Sequence, residues 1–337
     1  MPSAPEPSST LHEAVAGEVL SPEGDPALRA AVARLVSQCG ETLDAVIFFG
    51  SRRTRAAGTN AWSAYDLFAV VGAYRPFFAA LRRGGFVRRH PGWLALLSHW
   101  LPPTQVSLRF AEPELHAKVS VIRSDDLLRE TSPRRHDHFT IGRLFQPSRL
   151  EYARTREARE ATLGALVAAC AATWQWGRPW LPTTFDAEGY GRQALAISMS
   201  WEVRPEPSGR AAALWTAQRE AQLPILGALL DELARQGALR PLAGATPPSW
   251  LMVCAPGAGE RVRSRLYFSR SLLRATARWA KHMLTFEDWL EYIVRKASRH
   301  GGERLELSPR ERRWPLIFLW GRLFRYLRDK DGKGARS

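Results

Sequence analysis

Short apolar runs alternate with helix-like segments in the first 125 residues. A helix is predicted over residues 26–38, where apolar residues recur at helical spacing. Helix and loop segments with a turn at His90-Pro91 are predicted over 76–100. Four apolar runs read as strands, and they cover residues 45–49, 66–71, 106–110 and 117–122. This part of the chain therefore mixes strands with helices.

The pattern changes after about residue 151. Residues 151–175 and 211–236 have helical spacing and few β-branched runs, so a mainly helical region is predicted, with a short strand near 250–253. Beyond residue 260 the chain becomes strongly basic, with 20 Lys and Arg against 8 Asp and Glu in 261–337. The predicted divisions are a disordered tail rich in Pro, Ser and Glu over 1–25, a strand-containing domain over 26–155, a helical domain over 156–258 and a basic region over 259–337.

Net charge, cysteine spacing and the lengths of the apolar runs indicate the kind of partner and the cellular setting. The 337 residues carry a formal net charge of +15, which predicts an anionic partner such as a nucleic acid, a polyphosphate or a lipid surface. The three cysteines are odd in number and far apart, which excludes a Cys-x-x-Cys zinc site and favours a reducing compartment. Neither a secretory signal nor an apolar run of about 18 residues is evident, so no membrane-spanning helix is predicted.

Candidate chemistry lies in the segment from Phe48 to Val71. An apolar strand ends in Gly50-Ser51, a polar loop follows, and Asp66 stands at the head of the next strand, as is typical of the nucleotidyltransferase fold. A glycine lets the backbone approach a triphosphate, a serine hydroxyl can bind phosphate oxygens, and an aspartate can hold Mg²⁺. The alternative is an ordinary strand–turn–strand unit in which Ser51 caps the turn and Asp66 caps the loop.

One position departs from that pattern. The usual nucleotidyltransferase strand carries two aspartates at alternate positions, so that both side chains face the metal. The positions that alternate with Asp66 are Ala64 and Phe68, and neither is a metal ligand. The chain is therefore either an inactive relative or a member of a branch that obtains its carboxylates elsewhere.

Further segments resemble the mitochondrial-type CDP-diacylglycerol synthase family, also called the mitochondrial translocator assembly and maintenance protein family. The similar residues keep the family's order across about 45–205, and Arg52-Arg53 and Glu202 depart from it. They comprise Lys118, Val121 and Ile122; Asp126, Leu127 and Leu128; Ile141 to Pro147; Leu181, Pro182, Phe185 and Glu188; and Ile197 to Arg204.

The resemblance implies a fold and a reaction. The expected fold is α+β, with a nucleotidyltransferase (polymerase β-like) domain, a winged-helix-like helical domain and a C-terminal amphipathic helix. The expected enzyme is a Mg²⁺-dependent phosphatidate cytidylyltransferase, which converts CTP and phosphatidic acid into CDP-diacylglycerol and pyrophosphate. The expected location is cytoplasmic, with peripheral attachment to the inner face of an anionic membrane.

Candidate site residues combine the pattern with the resemblance. Lys118 lies in an otherwise apolar strand, where a lysine needs an anion unless it sits at an edge and faces water. Asp125 and Asp126 could complete the metal site, or equally begin a helix near Leu127. The full set is Asp66 and Lys118 as catalytic residues; Gly50, Ser51, Arg52, Arg143 and Gln146 for the nucleotide; Asp66, Asp125 and Asp126 for the metal; and Glu202 and Arg204 near the site.

Two of these assignments have plain alternatives. Arg143 could be only a solvated helix residue, and Glu202 with Arg204 could be a surface ion pair of little energy.

The C-terminal segment over 310–330 has the pattern of a membrane-surface helix. Arginines flank one apolar face, which suits an interfacial helix on anionic lipid. A helix docked on the core is the alternative, and a second basic helix over 264–283 could join the first. The predicted membrane-binding residues are Trp314, Leu316, Leu319, Trp320, Leu323 and Phe324.

Competing functions remain open at this point. One is a catalytically inactive nucleotidyltransferase-fold protein that binds a membrane or a partner, and another is a nucleotidyltransferase acting on a different phosphate acceptor. A nucleic-acid partner is not expected, because no RNP or KH motif is present and the apolar stripe would be unnecessary on RNA. The oligomeric state is not predicted.

Overall fold

The fold is built on a five-stranded mixed sheet. A computed structural model describes residues 9–22, 24–54, 64–111, 114–201 and 209–285, together with residues 308 and 310. The strands run in the order β3-β4-β2-β1-β5, with β2 and β4 parallel and the other neighbours antiparallel. Their bounds are β1 Leu43–Phe49, β2 Tyr65–Val71, β3 Thr104–Phe110, β4 Leu115–Arg123 and β5 Arg149–Ala153.

Three helices cover one face of this sheet: α2 (Pro26–Cys39), α3 (Tyr74–Arg83) and α4 (Pro91–Trp100). Asp25 begins α2, because its carboxylate accepts hydrogen bonds from the backbone N–H groups of Ala27 and Leu28. The apolar sides of the three helices form one core with alternate residues of β1 to β4.

A second layer of helices and a small sheet packs on the opposite face. The core of this layer is continuous with the sheet residues Ile47, Phe49, Phe68 and Val70. Its elements are α1 Ser9–Val19, α5 Ser124–Thr131, α6 Ile141–Leu144, α7 Arg156–Ala171, α8 Thr173–Gly177, α9 Ala187–Ser200 and α10 Arg210–Arg235, with an antiparallel sheet in the order β6-β8-β7 formed by β6 Thr184–Asp186, β7 Leu239–Pro241 and β8 Ser249–Met252.

The last described helix, α11 (Ala258–Thr285), returns to the edge strand β3. Lys281 is buried and its ammonium donates to the carbonyls of Leu101 and Pro103 in the loop before β3. Arg278 also donates to the loop, and it shares the carboxylate of Asp137 with Arg274, at 2.8 Å for each bond to that carboxylate. These buried polar bonds fix α11 against one edge of the large sheet.

The structure confirms the α+β class, the four predicted strands and the helix over 26–38. It corrects the disordered tail, because residues 9–19 form helix α1. Leu11, Val15 and Val19 recur every four residues and are at most 2% exposed, so their burial against the second layer stabilises the helix. Residues 1–8 lie outside the described residues.

Candidate functional site

A polar strip interrupts the apolar surface on the side of the sheet that carries Asp66. Strand side chains alternate between faces, and here the polar ones share one face while the apolar ones share the other. Two hydrogen bonds cross the strip, between Ser107 Oγ and His116 Nε2 at 2.6 Å and from Gln105 Nε2 to Ser120 Oγ at 3.2 Å. Its residues are Gln105, Ser107 and Arg109 on β3, His116, Lys118 and Ser120 on β4, and Asp66 on β2.

Gly50 and Asp66 meet at the end of this strip. Strand β1 ends at Phe49, whose register partner is Asp66, and Gly50 then adopts a φ of +85°. A Cβ atom at Gly50 would stand 2.7 Å from Asp66 Oδ2. Only glycine therefore allows both the left-handed backbone and the close approach to the carboxylate.

The turn after Gly50 is compact. The backbone N–H groups of Arg53 and Thr54 donate to the Gly50 carbonyl at 3.0 and 3.2 Å. Ser51 lies half-buried inside this turn. The predicted phosphate-binding pair, Gly50 and Ser51, is thus next to the predicted metal ligand Asp66.

Lys118 is the register partner of Asp66 across the parallel pairing of β2 and β4. Adjacent strands are about 4.8 Å apart, and register partners share a face, so the ammonium stem and the carboxylate start side by side. Strand β4 is flanked by β3 and β2, so the interpretation of Lys118 as an edge-strand lysine is wrong. The side chain is half-buried.

Arg52 lies on the opposite side of the sheet from Asp66. Its guanidinium carbon stands 3.9 Å from the ring centroid of Tyr65, and its Nη2 donates to the Tyr65 hydroxyl at 2.9 Å. Tyr65 and Asp66 are consecutive in β2 and point to opposite faces. Burial and the hydrogen bond to Asp25 raise the pKa of Tyr65 to about 12. The structure therefore places Arg52 and Asp66 on opposite faces, and a nucleotide-binding role for Arg52 stays a prediction.

Arg53 lies on the same side of the sheet as Asp66. Its guanidinium forms an ion pair with Glu18 of α1, the helix that packs on the same face of the sheet as Asp66. Sequence reasoning missed this arginine, because nothing in the Gly-Ser-Arg-Arg run says which arginine points to which face.

Asp125 and Asp126 do not accompany Asp66. They lie in the first turn of α5, after the carboxyl end of β4, whereas Asp66 stands near the opposite end of β2. Five register steps separate Lys118 from Arg123, which is about 16 Å at the usual rise per residue. The prediction that these two carboxylates complete a metal site with Asp66 is corrected. They lie in the first turn of a helix, as the alternative predicted, but the helix begins at Ser124 and its N-cap is Arg123.

Asp126 has a structural role where it stands. It accepts hydrogen bonds from the Tyr74 hydroxyl at 2.6 Å, Arg123 Nε at 3.1 Å and Arg129 Nη2 at 2.6 Å. Burial alone would raise its pKa, but these bonds and the two guanidinium charges hold the pKa below its usual value. The carboxylate therefore ties α3, β4 and α5 together.

Phe68 explains the missing second aspartate. It is fully buried, and its ring lies 5.0 Å from that of Phe49 in the core below the site. A carboxylate at this position would be desolvated among apolar side chains. Across the residues that the structure describes, no cluster of three or more His, Cys, Asp or Glu side chains could hold a metal ion.

Arg143 and Gln146 bond within their own segment. Arg143 Nη1 donates to the Phe139 carbonyl at 2.8 Å and its guanidinium lies 3.6 Å from the Phe139 ring centroid. Gln146 Nε2 donates to the Gly142 carbonyl at 2.7 Å. These bonds fix α6 and its following turn, and a nucleotide-binding role for the two residues stays a prediction.

Helix α11 brings Lys281 and His282 close to the polar strip, which sequence reasoning missed. Burial lowers the pKa of His282 to about 4, and the charges of Lys118 and Lys281 act in the same direction. Thr285 Oγ1 donates to the Gln105 carbonyl at 3.2 Å, so the end of α11 lies over the polar strip. The polar alternation of β3 and β4 was visible in the sequence, but the approach of a helix end 180 residues beyond Gln105 was not.

Several predicted residues fall outside the described part of the chain. They are Glu202, Arg204 and the membrane-binding residues Trp314, Leu316, Leu319, Trp320, Leu323 and Phe324. In the described ranges, each helix is too short or too polar to cross a lipid bilayer.

Comparison with known proteins assigns no family. No protein-family model matches the chain, and no curated protein matches it. The resemblance to the CDP-diacylglycerol synthases is therefore supported only by the motifs already given. The function has to be argued mainly from the geometry of the site.

Proposed function

We propose that the protein is a nucleotidyltransferase that transfers CMP from CTP to a lipid phosphate, with phosphatidic acid as the acceptor. The observation that carries the proposal is the direct contact between the Gly50-Ser51 turn and Asp66, with Lys118 as the register partner of that carboxylate. This combination offers a close backbone approach, a metal-binding oxygen and a fixed cation on one polar face.

Mg²⁺ fits the donor set as a site that substrate completes. Asp66 supplies a hard carboxylate oxygen, and the glycine beside it leaves space that a Cβ atom would fill. Mg²⁺ in phosphate-transfer enzymes commonly binds through one or two carboxylates plus substrate phosphates and water. Asp66 would hold the ion, with the Ser51 hydroxyl as a further oxygen donor. When bound, the ion would neutralise phosphate charge and stabilise the leaving pyrophosphate.

The chain's own groups account for the remaining requirements of the reaction. Gly50 would let the backbone approach the triphosphate closely, and Lys118 would balance the charge that develops on the pyrophosphate. A phosphate acceptor is already anionic near neutral pH, because the second pKa of a phosphomonoester is about 6. Its oxygen can attack the α-phosphorus of CTP without a general base, as the P–O bond to pyrophosphate breaks.

Two further observations support the choice of acceptor lipid and of cytidine as the nucleoside of the donor. The ordered matches to the mitochondrial-type CDP-diacylglycerol synthases favour CTP and phosphatidic acid. A formal charge of +15 favours an anionic surface on which such a lipid would be presented.

A second candidate function rests on Phe68. Because the usual second carboxylate is replaced by a buried ring, the fold could bind a nucleotide or a membrane without catalysis. The two candidates differ in whether label moves from CTP into lipid.

The test is transfer of label from α-³²P-CTP to phosphatidic acid in detergent micelles with Mg²⁺, followed by organic extraction. We expect Asp66→Asn to lower the rate by about 10²–10³-fold, since several kcal/mol of transition-state stabilisation would be lost. Addition of EDTA should have the same effect on the wild type.

Asp125→Asn is the matched control, because it removes one carboxylate at the far end of the sheet. It should retain wild-type transfer. Transfer that survives in Asp66→Asn, or that is lost equally in Asp125→Asn, would refute the assignment. Absence of transfer from any nucleotide in the wild type would favour the binding protein.

A further inference from the structure

Helix α4 presents an apolar face to solvent. Trp93, Leu96 and Trp100 are 41%, 60% and 66% exposed, and they recur three and four residues apart. This spacing places all three on one side of the helix. The other side of α4, which carries Leu94, Ala95 and Leu97, is buried. The "α4 face" hereafter means Trp93, Leu96 and Trp100.

The segment that contains the α4 face is basic. Residues 67–111 include six arginines and not one Asp or Glu. Arg82 and Arg83 end α3, Arg88 and Arg89 lie in the turn before α4, and all four are exposed. An exposed apolar stripe with two tryptophans, next to exposed arginines, has the composition of a surface that meets an anionic lipid interface.

Helix α11 repeats this arrangement. Val262, Leu266 and Leu273 are 54%, 64% and 72% exposed, and their spacing places them on one side of the helix. After Glu260 the helix holds six arginines and one lysine and no acidic residue. The "α11 face" hereafter means Val262, Leu266 and Leu273.

The two helices are joined at one edge of the large sheet. Lys281 and Arg278 of α11 donate to the carbonyls of Leu101, Pro102 and Pro103, the residues that follow α4 directly. That loop leads into β3, the edge strand, so α4 and α11 flank the same edge. The bonds therefore fix the last turns of α11 beside the end of α4.

We propose that the α4 face and the α11 face form a docking surface for the headgroup region of an anionic lipid bilayer. The proposal rests on the proposed function for its biological reason, since a lipid substrate must be reached at a membrane. It extends the surface beyond the predicted C-terminal helix to two helices of the folded body.

Charge complementarity selects lipid over the other possible occupants. A second copy of the chain docked through the same face would oppose arginines with arginines. Residues 286–337 are themselves basic, with 13 Lys and Arg against 8 Asp and Glu, so they do not complement the surface. A single-stranded nucleic acid could stack on tryptophans, but it has no use for Leu96 and the three aliphatic residues of α11.

The test is flotation of the full chain with vesicles of phosphatidylcholine, with and without phosphatidylglycerol. Phosphatidylglycerol provides negative charge and is not the proposed substrate. We expect Trp93→Ala/Leu96→Gln/Trp100→Ala to weaken binding to the anionic vesicles by about tenfold or more. Arg88→Gln/Arg89→Gln should weaken it by about fivefold per residue at low salt, and high salt should remove that difference.

Control variants change exposed apolar and basic residues elsewhere on the surface. Leu128→Gln alters a 46%-exposed leucine on α5, and Arg156→Gln/Arg192→Gln removes two exposed arginines from α7 and α9. Both controls should float as the wild type does. Equal loss in the controls, or no loss in the α4 variants, would overturn the proposal.

Quenching by brominated phosphatidylcholine gives a second measurement that does not depend on affinity. The brominated lipid should quench tryptophan fluorescence in the wild type. The quenched fraction should be smaller in Trp93→Phe/Trp100→Phe. Unchanged quenching would refute contact of the α4 face with lipid. If the α4 variants instead weaken an oligonucleotide complex or a dimer while vesicle binding persists, the occupant is different and the proposal fails.

Asp66→Asn separates this surface from the catalytic proposal. The variant should lose transfer and still float with anionic vesicles. If the wild type shows no transfer but the α4 variants lose flotation, the docking surface stands and the proposed reaction falls.

Discussion

The contact between Gly50 and Asp66 allows a sharp test with Gly50→Ala. A Cβ at this position would lie 2.7 Å from Asp66 Oδ2 and 3.1 Å from Asp66 Cβ, whereas ordinary contacts begin at about 3.4 Å. The carboxylate must therefore move by about half an ångström or more. Misplacement of a reacting group by 1 Å can lower a rate by about 10²-fold, so we expect transfer to fall by about 10–10²-fold.

Backbone strain accompanies this displacement and must be separated from it. At a φ of +85°, alanine costs about 1–2 kcal/mol relative to glycine. Gly237→Ala provides the control, because Gly237 has a φ of +74° and a Cβ atom added there would have no neighbouring atom within 4 Å. Both variants should lose a similar free energy of unfolding, and only Gly50→Ala should lose transfer.

The assay is label transfer from CTP under saturating substrate, with urea unfolding of both variants in parallel. Wild-type transfer in Gly50→Ala would refute the argument that the close approach matters. An equal loss of transfer in Gly237→Ala would assign the effect to general strain. Either result would remove the main support for the site.

Two further predictions concern stability. Asp137 is buried, and its pKa of about 2 lies below the ordinary value of 3.8, because the charges and bonds of Arg278 and Arg274 outweigh the opposing effect of burial. The ionised carboxylate should contribute about 2 kcal/mol to the free energy of unfolding above pH 4, and this contribution should be lost as the pH falls towards 2. Urea unfolding at several pH values should show that Asp137→Asn removes this part of the pH dependence. Leu11→Ala should lower the free energy of unfolding by about 2–5 kcal/mol, because Leu11 is fully buried. An unchanged melting curve would instead support the prediction that this segment is disordered.

Local pattern was sufficient for most of the large sheet. Apolar runs predicted the four strands β1 to β4, and each is buried along most of its length. Strand β5 was missed because its sequence, Arg-Leu-Glu-Tyr-Ala, is short and includes two charged residues; it lies at the edge of the sheet. Helix α1 was missed because Pro and Ser around it dominated the composition, although Leu11, Val15 and Val19 already had helical spacing.

The candidate site required information that is not local. The pairing of Asp66 with the end of β1 follows from an antiparallel hairpin and could be expected from the sequence. The parallel pairing of Asp66 with Lys118 could not, because about 50 residues and two helices intervene. Asp126 follows the far end of β4, whereas Lys118 lies near its start. The metal prediction was wrong because it took closeness in sequence to the strand of Lys118 as closeness to Asp66.

The position of α1 has a consequence for how the chain is made. Its core partners include α7 and α10, and α10 begins about 190 residues after α1 ends. At a synthesis rate of about 5–20 residues per second, α1 leaves the ribosome roughly 10–40 s before α10 exists. During that interval Leu11, Val15 and Val19 have no completed core to enter. Helix α1 is therefore among the last of the described helices to reach its native contacts, although it is made long before α10.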